Sequence, residues 1–104
     1  MVEERTRKVI EDLRAALESN GISVKKLVLY GSRSRDSTDR FSDIDLVIVS
    51  TDFCGKDYWE RVQIVSPLIP RSAYAVEPLL VTPQEWEEES SMIIAIASSE
   101  GVEV

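Results

Sequence analysis

The chain contains no histidine and only one cysteine, Cys54. Without histidine, His-based catalytic triads and His-ligated zinc are excluded. A lone cysteine cannot close an internal disulfide, which fits a reducing, cytoplasmic compartment. No apolar run approaches the ~20 residues of a membrane span, so no membrane partner is expected. The opening Met-Val-Glu-Glu-Arg lacks the apolar core of a signal peptide. Positive charge is also scarce: 12 basic residues face 19 acidic ones, for a net charge of −7. The basic residues are scattered among acids, with a local pair at Lys25-Lys26 and another at Arg33 and Arg35. Nucleic-acid binders carry a sustained basic patch, so a nucleic-acid partner is disfavoured. Any metal site must be built from oxygen ligands, which favours Mg2+ or Mn2+.

What remains is the composition of one globular domain spanning residues 1–104. A chain of this size supports one core, with no room for separate catalytic and substrate domains. Apolar positions Val9, Ile10, Leu13, Ala16 and Leu17 predict a helix over residues 3–20, stopped at Asn20-Gly21. Val24–Tyr30 reads as a central strand, apolar on both faces. The polar stretch 31–42 reads as a turn, a short helix opening near Ser32, and a loop. Asp43–Ser50 reads as a second strand. Asp57 is placed to cap a helix from Tyr58 to about Ser66, burying some of Trp59, Val62 and Val65. Ser72–Val81 reads as a third strand whose Pro78 demands an edge position or a bulge. Thr82-Pro83-x-Glu85 is a helix start, with helical pattern to about Ser99 and a break near Ser90-Ser91. Gly101 then stops the helix, and Val102–Val104 suits a short strand. The expected fold class is α/β (α+β): a mixed β-sheet of about four strands with helices packed mainly on one face. The segment from Met92 to Ala97 is apolar nearly all round, as in a helix that is buried or faces a partner.

The chemistry concentrates in Leu27-Val28-Leu29-Tyr30-Gly31-Ser32 and, ten residues later, Asp43-Ile44-Asp45-Leu46. Strand side chains alternate, so Asp43 and Asp45 project to the same side. Two carboxylates ~5 Å apart at an effective dielectric of ~20 repel by roughly 3 kcal/mol. A divalent cation between them removes that penalty. A glycine lets the backbone approach a ligand closely, and N–H groups at a helix start attract anions, so Gly31 and Ser32 suit a phosphate. Arg33 and Arg35 are within sequence reach of the same phosphates. Glu77 lies inside the otherwise apolar Ala75-Val76-Glu77-Pro78-Leu79, where an unpaired charge is rarely buried. An EF-hand is excluded, because its glycine and terminal glutamate are missing.

Gly31-Ser32, ten residues, then Asp43-x-Asp45, following an apolar strand, resembles the signature of the polymerase-beta-like nucleotidyltransferases, in particular the minimal nucleotidyltransferase (MNT) proteins. The resemblance covers most of the chain and implies the fold of that superfamily. It implies an Mg2+-dependent transfer of a nucleoside monophosphate, AMP from ATP or the equivalent from another NTP, to an acceptor hydroxyl. Asp43, Asp45 and Glu77 would then be the metal-binding and catalytic acids, and Gly31, Ser32 and Arg33 would hold the nucleotide. Family members often have Asp followed by a non-proline residue where this chain has Glu77-Pro78. Their turn typically reads Gly-Ser-x-Ala-x-Gly, where this chain has Ser34 and Asp36. The resemblance also implies a protein partner of the helical HEPN type, in a toxin–antitoxin pair where the acceptor is a partner tyrosine; a homo-oligomer is the alternative supplier of acceptor-binding surface. The alternative to an enzyme is a catalytically inactive module of the same fold that binds nucleotide or a partner. A subunit modifying a small molecule such as an aminoglycoside is a third reading, disfavoured by the missing second domain.

Overall fold

Along β2 (Ile44–Ser50) nearly every side chain is buried, whichever way it points. A strand with that pattern must be covered on both faces, and the rest of the chain supplies the cover. The computed structural model describes residues 4–31, 44–73 and 76–104. The other elements are α1 (Glu4–Ser19), β1 (Val24–Tyr30), α2 (Tyr58–Val65), β3 (Val76–Val81), α3 (Pro83–Glu88), α4 (Met92–Glu100) and β4 (Val102–Glu103). The strands form one mixed sheet in the order β3-β2-β1-β4. β1 runs antiparallel to both β2 and β4, whereas β2 and β3 are parallel. A parallel pair needs a crossover, and α2 lies in that connection.

The larger core lies on one face. Ile10, Leu13 and Leu17 of α1 and Val65 of α2 pack with Leu27, Leu29, Ile44, Leu46, Ile48 and Leu80 of the sheet. The other face carries a smaller core in which Ile94 and Ala97 of α4 meet Val28, Val47, Val49 and Val81, with Trp86 of α3 packed against them. The expected one-sided packing describes the larger core. The second layer was hidden because a helix apolar all round does not reveal which side meets the sheet.

Most predicted elements fall within one or two residues of their expected limits. Asp57 caps α2 and exchanges reciprocal hydrogen bonds with Glu60, and Thr82 and Glu85 do the same at α3. One expectation needs correction. The third strand begins at Val76; Arg71–Ala73 instead form a 3-10 turn, with the Ala73 N–H donating to the Pro70 carbonyl at 2.9 Å. Of the three apolar side chains expected to share the burial of α2, Val65 is buried and Trp59 is 66% exposed, because the helix turns Arg61 and Val65, one helical turn apart, toward the protein. The expected break near Ser90-Ser91 is present: α3 and α4 are parted over residues 89–91, where Glu89 takes a left-handed conformation at φ 47°. The short helix expected near Ser32 lies outside the described residues.

Pro78 sits in β3, which is an edge strand. The outer edge is tied to α2 by Tyr58, whose hydroxyl donates to the Pro78 carbonyl and accepts from the Leu80 N–H, each at 3.4 Å. Arg61 adds a stronger tie. Its guanidinium donates to Glu85 through two bonds of 2.7 and 3.1 Å, to the Leu80 carbonyl at 3.0 Å and to the Lys56 carbonyl at 3.1 Å. The bond to Arg61 holds the Glu85 carboxyl below the usual range against the opposing effect of burial, with Thr82 helping.

Candidate functional site

Tyr30, Asp45 and Glu77 lie in one row across the sheet. Tyr30 pairs with Asp45 across the antiparallel β1–β2 ladder, and Asp45 pairs with Glu77 across the parallel β2–β3 ladder. Residues in register project to the same side. Alternation along β2 puts Asp45 on the face of Val47 and Val49, the face that α3 and α4 cover farther along. At this end the cover thins: Tyr30 and Asp45 are half-buried and Glu77 is exposed. Neighbouring strands lie roughly 4.8 Å apart, so the backbones bring the two carboxylates side by side at the rim of an apolar sheet.

Gly31 closes the row. It follows β1 at φ +78°, and a Cβ placed on it would stand 2.5 Å from Asp45 Oδ2 and 3.4 Å from Asp45 Cγ. The backbone therefore passes over the carboxylate at a distance that only a hydrogen fits, and only glycine adopts this conformation without strain. A strand ending in Tyr30-Gly31 produces this geometry because β1 stops where Asp45 begins to emerge from the core.

Tyr30 also joins this row. Burial, first, and then the charge of Asp45, with smaller effects of Tyr58 and Glu77, push its hydroxyl above the ordinary tyrosine range. At neutral pH the phenol keeps its proton and presents a donor beside two acids. The sequence places Tyr30 only at the end of a central strand. Its adjacency to Gly31 was visible, but its pairing with Asp45 depends on the β1–β2 register.

Three of the six predicted site residues, Gly31, Asp45 and Glu77, are thus brought together. Asp43, Ser32 and Arg33 lie outside the described residues. A cleft of 290 Å³ lies elsewhere: Tyr58, Val62, Val65, Ser66, Ile69, Pro78 and Leu80 line it, none of them charged. Pro78 and Leu80 alternate with Glu77, so this cleft opens on the side of β3 away from the carboxylates.

A family model described as a nucleotidyltransferase domain matches residues 7–99. The chain belongs to the nucleotidyltransferase domain family. Its fold also matches that of a crystal structure from Sulfolobus solfataricus, of a protein assigned as a nucleotidyltransferase. The two share 17% identity with a TM-score of 0.61, over 96% of this chain and 76% of that one. No curated protein matches the chain by sequence.

Nucleotidyltransferase domains generally use a nucleoside triphosphate and a divalent metal. The donors present suit a hard cation: Asp45 and Glu77 offer only oxygen, and hard divalent cations prefer oxygen. Among the described residues no group of three or more acidic, histidine or cysteine side chains is assembled for a metal. The described part of the row supplies two carboxylates, and Asp43 is the nearest further acid in sequence. Among the described residues no helix is long and apolar enough to cross a membrane.

Proposed function

We propose that this nucleotidyltransferase domain carries an Mg2+-dependent transfer of AMP from ATP to an acceptor hydroxyl. The acceptor in this reading is a tyrosine of a HEPN-type protein partner, with the chain as the antitoxin of a cytoplasmic pair. What supports the reading is one observation above all: Asp45 and Glu77 are register partners on parallel strands, and Gly31 is packed onto Asp45. Asp43, Asp45 and Glu77 would hold the cation. When bound, it would neutralise phosphate charge and lower the pKa of the acceptor hydroxyl.

The chain's own residues divide the remaining work. Gly31 lets the backbone pass close over Asp45 where any side chain would displace the carboxylate, and Ser32 and Arg33 donate to phosphate oxygens. Glu77, exposed at the outer end of the row, takes the acceptor proton. The acceptor oxygen forms a bond to the α-phosphorus, the bond from that phosphorus to the β-bridging oxygen breaks, and pyrophosphate leaves with the electron pair.

The test is label transfer from α-labelled ATP, with Mg2+, to a candidate partner. Glu77→Gln keeps size and removes the base, so product formation should fall ~10²–10⁴-fold. Asp45→Asn should abolish it. Undiminished labelling by folded Asp45→Asn protein would overturn the reading, and partner neutralisation that persists without labelling would point to a binding module.

A further inference from the structure

The transferase reading leaves one surface of α4 unused. The helix rests on the sheet through Ile94, 4% exposed, and Ala97, fully buried. On its other side Met92 is 79% exposed, Ile93 50% and Ile96 44%. Ile96 lies four residues from Met92 and three from Ile93, so it neighbours both on the helix surface and joins them into an apolar stripe. Exposed acids flank the helix in sequence: Glu87, Glu88 and Glu89 lie just before α4, and Glu100 ends it. Gly101 then packs against Val28 and Leu29, so the C-terminal end of the stripe approaches the strand that delivers Tyr30 and Gly31.

We infer that the outward face of α4 docks an amphipathic helix of a protein partner, with an apolar stripe flanked by lysine or arginine. Charge selects this occupant. A second copy would bring the same acidic border against itself in a chain of net charge −7. An anionic lipid surface or a nucleic acid is repelled for the same reason. A basic-flanked apolar helix meets both features: its stripe covers Met92, Ile93 and Ile96, and its cations face the glutamates. The inference uses none of Gly31, Asp45 or Glu77, so it stands or falls apart from the catalytic proposal.

Two synthetic amphipathic helices with the same leucine stripe, one flanked by lysines and one by glutamates, serve as probes of the nucleotide-free full chain. Methyl NMR should show the lysine-flanked peptide shifting Met92, Ile93 and Ile96 in a saturable way, at least tenfold more tightly than its glutamate counterpart. Rising salt should weaken it. Ile96→Lys, at an exposed position, should lower affinity at least tenfold with melting temperature unchanged. Equal binding of both peptides, shifts confined to other methyls, or no shift with either would overturn the inference. So would a dimer in sedimentation that Ile96→Lys dissolves.

Discussion

Gly31→Ala separates two effects that usually arrive together. Gly21, Gly31 and Gly55 all have positive φ, at 85°, 78° and 77°. Alanine at any of them pays the left-handed backbone penalty of roughly 1–2 kcal/mol. At Gly21 and Gly55 the new methyl meets nothing within 4 Å. At Gly31 it lands 2.5 Å from Asp45 Oδ2, so the carboxylate must leave its rotamer, at about 0.5–1.5 kcal/mol more. Gly31→Ala should therefore destabilise by about 1.5–3.5 kcal/mol and the two controls by about 1–2 kcal/mol. In a domain of this size each kcal/mol lowers the melting temperature by roughly 4–8 °C, so urea and thermal unfolding both resolve the difference. Ligands that bind only the native state raise the melting temperature. Mg-ATP should do so for wild type, Gly21→Ala and Gly55→Ala, and fail to do so for Gly31→Ala. Equal destabilisation at all three glycines would refute the packing of Gly31 on Asp45. A retained Mg-ATP shift in Gly31→Ala would refute the phosphate cradle.

Arg61→Ala removes one cation serving Glu85 and two carbonyls; with Glu85 partly exposed, urea unfolding should show a loss of about 2–3 kcal/mol. Because the Glu85 carboxyl is depressed, its contribution is present above the ordinary carboxylate value and is lost as pH falls through the folded value. Wild type should therefore lose more stability on acidification than Arg61→Ala; parallel pH profiles would remove Arg61 as the cause. Tyr30 has a raised value, so its contribution is complete below the unfolded value of about 10 and disappears as pH rises through the folded one. Tyr30→Phe should flatten that alkaline decline in melting temperature, and an unchanged slope would contradict the burial of the phenol. Gly101→Ala would place a methyl 2.5 Å from Val28 Cγ1 and against the Ala97 carbonyl; an overpacking loss of about 1–3 kcal/mol is expected, and a neutral effect would show that the α4–β4 corner yields freely.

The strands and caps were legible because each is written locally. Val24–Tyr30 announces itself by composition, and Asp57 and Thr82 by capping chemistry. The pairing of chemistry-bearing residues was less legible, because it lives in the register between strands distant in sequence. Asp45 could be nominated from its spacing to Gly31. That Tyr30 joins it, and that Arg61 crosses from α2 to Glu85, could not, since an arginine in a helix gives no sign of which distant carbonyl it reaches. The break before the C-terminal apolar run was legible from Ser90-Ser91, but the left-handed conformation of Glu89 that makes it was not.

Pro78 shows how a residue that looks discordant beside Glu77 is explained by its place in the sheet. A proline has no N–H, so within a strand its backbone must face away from the partner. At Pro78 it does: the carbonyl of Pro78 and the N–H of Leu80 both turn outward, to the Tyr58 hydroxyl. Backbone direction and side-chain direction alternate together along a strand. Fixing Pro78 outward therefore sends Pro78 and Leu80 toward the α1–α2 core and Glu77 toward the face of Asp45. A slip of one residue would aim the proline nitrogen at β2, where a donor is wanted, and would carry Glu77 to the opposite face. The proline thus supports the placement of Glu77, and the acid it follows stays beside Asp45 because the slipped alternative is closed.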